Sequence, residues 1–141
     1  MFKDILLPID LEEAELTARA IAVAEELVEK FGAQITALTA IPDFNSPLVA
    51  SYFPDDTIKK AHEQICTDLQ KYVDSHFHHP TKVRCSVGEG SPRKVILSYI
   101  EANDIDLVIM PARVNDISKV FLGSNSTYVV QHAPCSVMVV R

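Results

Sequence analysis

The sequence predicts an α/β fold, a doubly wound parallel sheet within a single domain, on three observations. Short apolar runs alternate along the whole chain with longer segments whose apolar residues recur every three or four positions. The runs are continuous rather than alternating apolar with polar, as expected of strands buried on both faces. The chain has 141 residues, 48% of them hydrophobic and 23% charged, enough to build one core without disulfide staples.

Residues 2–9 form the first apolar run, closed by Pro8 and Asp10. Residues 13–31 change period: Ala14, Ala18, Ile21, Ala24, Val28 and Phe31 mark one helical face, and Glu12, Glu13 and Glu15 crowd the start, where the helix dipole favours acids. Gly32 stands where a helix C′ residue belongs, and residues 34–41 follow as a second strand, completing a strand-helix-strand crossover. The punctuation Pro42, Asn45, Ser46, Pro47 and Pro54 reads 42–54 as a loop. A long helix is predicted over 55–77, with Ile58, His62, Ile65, Leu69 and Val73 on one stripe. Residues 82–87 read as a third strand and 88–92 as a turn, with Ser91 as N-cap and Pro92 at the first position of a helix reaching Asn103. The fourth strand is 106–110, then a loop over 111–122, a helix over 124–132 and a fifth strand within 135–141.

Composition narrows function. The formal net charge is −6 and no Lys/Arg cluster interrupts it, which argues against binding to nucleic acid backbones. No run approaches the ~18 apolar residues of a membrane span, and the apolar opening breaks too early for a signal peptide, so a soluble, cytoplasmic protein is expected. Cys66, Cys85 and Cys135 are odd in number and far apart, as reduced thiols are.

In open parallel sheets ligands sit beyond the carboxyl ends of the strands, where strand order reverses. That singles out Pro8 to Asp10, Ile41 to Asp43 and Met110 to Ser126. Gly123-Ser124-Asn125-Ser126-Thr127 opens the last helix, whose unpaired amides and hydroxyls can either hold a phosphate or simply cap the helix. Asp10 likewise is a ligand for ribose or adenine, or a cap. Neither G-x-x-x-x-G-K-[ST] nor a G-x-G-x-x-G after the first strand is present. His76, His78 and His79 lack a carboxylate or cysteine at ligand spacing, and His132 with Ser124 or Ser126 lacks a nucleophile elbow, so no metal site and no catalytic residue is assigned.

The segments Lys3-Asp4-Ile5-Leu6-Leu7-Pro8-Ile9-Asp10, Glu89-Gly90-Ser91-Pro92, Asp106-Leu107-Val108-Ile109-Met110 and Leu122-Gly123-Ser124-Asn125-Ser126, with the close from His132 to Arg141, resemble a universal stress protein of the UspA superfamily over residues 1–141. The short loop before Gly123 and the Gly-Ser-Asn are similar to the small F/G-type members. The resemblance implies a Rossmann-like, adenine nucleotide alpha hydrolase-like sheet of five parallel strands in order 3-2-1-4-5 with helices on both faces. It implies homodimers, or heterodimers with a related stress protein, joined through Ser136, Val137, Met138, Val139 and Val140. It implies ATP or AMP as bound ligand, with no metal beyond Mg²⁺ accompanying ATP. Carried over by position, Pro8, Ile9 and Asp10 flank ribose and adenine, Ile41 presents backbone to the base, Met110 walls the pocket, and Gly123, Ser124, Asn125 and Ser126 meet phosphates.

The nucleotide-binding pattern is glycine, two residues, glycine, nine residues, glycine, then Ser or Thr. Only Gly123-Ser124 matches it; Pro111 stands at the first glycine and a side chain, Arg113 or Val114, at the second. Arg113 is added to the site because a guanidinium can replace lost amide donors with a charge-assisted contact. The expectation is a stress-response nucleotide binder without a catalytic base, hydrolysing ATP weakly if at all. The alternative is a dimeric interaction protein with a degenerate pocket.

Overall fold

The computed structural model describes residues 1–44, 47–113 and 122–141. Five parallel strands, β1 (Asp4–Pro8), β2 (Gln34–Ile41), β3 (Val83–Glu89), β4 (Leu107–Pro111) and β5 (Ser136–Val140), pair in the order β3-β2-β1-β4-β5. Helices α1 (Ala18–Phe31), α2 (Pro47–Ala50), α3 (Asp55–His76), α4 (Pro92–Ala102) and α5 (Ser124–His132) connect them.

β1 shows why the apolar run forms a central strand. Successive side chains point to opposite faces, so Ile5 and Leu7 join α1 and α3 in one core, while Leu6 joins α4 and α5 in the other. All three are fully buried, worth about 1.5–3 kcal/mol each. With β2 on one side of β1 and β4 on the other, the strand order reverses at β1. A crevice therefore opens where the carboxyl ends of β1 and β4 diverge. No helix among the described residues is long and apolar enough to cross a membrane.

Four expectations are corrected. The segment after β1 is not one helix from residue 13: Leu11–Thr17 is 3₁₀, broken at Glu13 (φ −126°, ψ 47°), and α1 begins at Ala18. Side chains compete with the regular ladder here. Asp10 accepts the Glu12 amide at 3.0 Å, and the Tyr72 hydroxyl of α3 donates to the Ala14 carbonyl at 2.9 Å. Thr17, buried at the head of α1, makes no side-chain cap to its own helix. Burial pushes the Tyr72 hydroxyl pKa above its usual value.

The loop 42–54 contains the single turn α2. Gly88 is not a turn residue but lies inside β3, paired with Ala40; the turn is at Gly90, whose φ is +126° and whose amide donates to the Ile41 carbonyl at 2.8 Å. Pro111 belongs to β4 rather than to the loop after it, paired with Val140 at the strand end, where a missing amide is tolerated. The loop expected over 111–122 otherwise falls largely outside the described residues, and Val114 with it. Gly32 ends α1 at φ +68°, donating its amide to Val28, as its place after the helical stripe predicts.

Candidate functional site

The crevice between β1 and β4 is a cleft of about 790 Å³, within the range of small-ligand sites. Each residue singled out for a nucleotide in the sequence lines it: Pro8, Ile9 and Asp10 from the end of β1, Ile41 from β2, Met110 and Arg113 from β4 and beyond, and Gly123, Ser124, Asn125 and Ser126 from the head of α5. Residues as far apart in the chain as Pro8 and Ser126 thus converge on one concavity, because the parallel topology brings every strand's carboxyl end to the same edge of the sheet.

The floor is apolar and fixed. Ile41 is 2% exposed and Met110 4%, with Leu38 and Ile96 beside them. The ends of β1 and β2 are locked together, for the Ile9 amide donates to the Leu38 carbonyl and the Thr39 hydroxyl to the Ile9 carbonyl, both at 2.8 Å. The Ile41 carbonyl is occupied by Gly90, which narrows what that backbone can offer a base.

One wall is the head of α5. Gly123 is its N-cap and contributes no side-chain cap, and the first helical bond runs from the Thr127 amide to the Gly123 carbonyl at 2.9 Å. The amides of Ser124, Asn125 and Ser126 precede that bond and are the helix's unpaired donors. Ser126 is 6% exposed and lines the cleft, and its hydroxyl makes no hydrogen bond to a described residue.

The opposite lip is acidic. Asp10, Glu12 and Glu13 line it, and Asp10 acts as a cap through its contact with the Glu12 amide. Arg113 does not stand free: its guanidinium pairs with Glu13, tying the end of β4 to the 3₁₀ segment across the cleft mouth. At the end of β4, Pro111 has no amide and the Ala112 amide donates to the Val140 carbonyl at 2.9 Å.

Thr39, Ile96 and Ile65 line or brace the cleft without having been assigned to a site in the sequence. No local motif marks them; their role comes from which strand ends meet. Of the histidine cluster, His76 stacks on Tyr72 with Nδ1 against the Tyr72 carbonyl, and His78 meets Glu25 of α1 at 2.6 Å. No group of three or more His, Cys, Asp or Glu among the described residues is arranged to hold a metal.

The model of the universal stress protein family matches residues 1–141. Universal stress protein G of Salmonella typhimurium is 34% identical over 143 residues, covering all of both chains. A solved universal stress protein in complex with cAMP superposes with a TM-score of 0.64 at 15% identity, over 99% of this chain and 97% of that one. An Arabidopsis thaliana universal stress protein family protein with AMP bound superposes at 0.63 and 16% identity, over 98% and 90%. The two solved structures share the fold, and the Salmonella relative agrees with the G-type resemblance of the Gly-Ser-Asn close. Matched from end to end, the chain belongs to the universal stress protein family.

Proposed function

We propose that this universal stress protein binds an adenine nucleotide, ATP or AMP, in the cleft between β1 and α5, in a stress response in the cytoplasm and with little or no turnover. The observation that carries the reading is the head of α5, whose Gly123, Ser124, Asn125 and buried Ser126 line the same cleft of about 790 Å³ as the apolar floor of Ile41 and Met110. The relatives solved with cAMP and with AMP support the ligand class. Little or no turnover is proposed because no described residue of the cleft is a lysine, and Mg²⁺ enters only as the companion of ATP. A thermal-shift titration with ATP, AMP and cAMP tests this: a rise in Tm with at least one is expected, and no rise at millimolar concentration with any refutes it.

The second reading, a partner-binding protein with a degenerate pocket, draws on Pro111, which has no amide, and on the Ala112 amide, which is taken by the Val140 carbonyl. It expects a Gly123→Arg variant to recover the same partners as wild type. Homodimerisation, or pairing with a related stress protein, is proposed through β5, an edge strand whose Val137 to Val140 are only half-buried in the single chain. Sedimentation of Val139→Lys should then give monomer; a persistent dimer refutes β5 as the interface.

A further inference from the structure

We propose a second binding site at the opposite edge of the sheet, a hollow that takes the ammonium and carboxylate groups of a free α-amino acid. The hollow has a volume of about 310 Å³ and lies where α4 ends over the amino ends of β1, β2 and β3. Asp4, Thr36 and Arg84 line it from the sheet, and Tyr99, Asn103 and Asp104 from the end of α4 and just beyond. Every residue lining it is described.

Thr36 is the member of this group that the fold does not account for. Side chains along β2 alternate between the two layers, so Thr36 shares the α4 side with Leu38, which packs in the core of Val95, Ile96 and Ile100. Thr36 is 3% exposed, yet its hydroxyl makes no hydrogen bond to a described residue. Thr39, buried on the same strand, differs, because its hydroxyl donates to the Ile9 carbonyl. A buried hydroxyl without a partner costs free energy, and a valine would fill the same place without that cost. A polar ligand in the hollow supplies the partner.

The surrounding charges choose the ligand. In the order β3-β2-β1, Arg84 and Asp4 stand on the strands to either side of Thr36, a cation on one and an acid on the other. Neither makes an ion pair with the other or with any other described residue. Asp104 joins the acid side, for the Asp106 amide donates to the Asp4 carbonyl and holds that stretch of chain beside β1. The C-terminal end of α4 adds the negative end of its dipole. An ammonium group is therefore drawn to Asp4 and Asp104, and a carboxylate to the paired donors of the Arg84 guanidinium. The Thr36 hydroxyl between them can donate to the one or accept from the other. A simple anion or a simple cation satisfies only half of the hollow.

Proton–nitrogen correlation NMR of the full chain, titrated with the common L-α-amino acids one at a time, tests the proposal. At least one should move the Thr36, Arg84 and Asn103 amide resonances saturably in the millimolar range. The same molecule stripped of its amino group, or of its carboxyl group, should bind at least about tenfold more weakly. Thr36→Val should weaken binding while leaving the Tm of the ligand-free protein unchanged or higher, since no hydrogen bond within the fold is lost. Arg84→Gln, on an exposed edge position, should abolish the preference for the carboxylate-bearing molecule. Saturation by none of the amino acids overturns the site, as does a response confined to Asp10, Met110 and the head of α5. A deaminated or decarboxylated molecule that binds as tightly overturns the choice of ligand, and a Tm lowered by Thr36→Val overturns the role given to that hydroxyl. Nucleotide titrations report on the other edge of the sheet, so neither result decides the other.

Discussion

Gly88→Ala probes how β3 and α4 are held together beneath the cleft. A Cβ built on Gly88 falls 2.4 Å from Val95 Cγ1, 3.3 Å from Cγ2 and 3.4 Å from Cβ, where carbon atoms normally rest about 3.5–4.0 Å apart. All three neighbours belong to one β-branched side chain. Val in a helix holds one strongly preferred χ1, so turning the obstructing methyl aside is costly and helix and strand are instead pressed apart by about 1 Å. Overpacking of this kind costs about 1–3 kcal/mol, offset by the roughly 0.5–1 kcal/mol that alanine gains over glycine inside a strand. The expected net loss is about 1–2 kcal/mol, or roughly 3–8 °C in Tm for a chain of this size.

Urea titration gives the stability change, and a double-mutant cycle identifies its cause. With Val95→Ala the obstructing methyls are gone, so adding Gly88→Ala to that background should be neutral or stabilising. The close-approach argument fails if Gly88→Ala alone changes stability by less than about 0.3 kcal/mol, within the additivity error of such cycles. It also fails if the substitution costs as much beside Ala at 95 as beside Val. Because Val95 and Ile96 line the cleft, the same single variant should weaken ligand binding even though residue 88 does not line it.

Two further outcomes follow from titratable side chains. Glu25 accepts both the backbone amide and the ring Nδ1 of His78 at 2.6 Å, and that hydrogen bond and the carboxylate's charge raise the His78 pKa above its usual 6.5. The stabilisation is therefore complete below about pH 6.5 and is lost as pH climbs through the raised folded-state value. The Tm difference between wild type and His78→Gln should be largest near pH 5.5 and close by pH 8.5, and a gap that widens with pH contradicts the pairing. Burial pushes the Cys85 and Cys135 thiols above their ordinary pKa, whereas Cys66 is exposed on α3. Thiol labelling near pH 8 should show one fast and two slow groups, with Cys66→Ser removing the fast phase.

The sequence by itself determined the layered α/β architecture and the neighbourhood of the site. The unbroken run Ile5-Leu6-Leu7 had to be buried on both faces, and it is. The three- and four-residue spacing of α1 and α3 had to face a sheet, and Gly32 after the first stripe had to end its helix. In a parallel sheet those elements leave one edge where strands end and helices begin, so Asp10, Met110 and the head of α5 were bound to meet.

Only the tertiary structure decided how that site is furnished. Glu13 breaks a helix that its apolar spacing promised, where Tyr72, 58 residues beyond Ala14 in the chain, takes the Ala14 carbonyl. Gly88 proves to be a strand residue, since the demand for a missing side chain comes from Val95 across the layer rather than from a turn. Arg113 turns to Glu13, and the Ala112 amide to Val140. The physical reason is common to all of these. Periodicity and punctuation are local and travel with the chain, whereas which donor meets which acceptor depends on side chains brought together only when the sheet closes its layers.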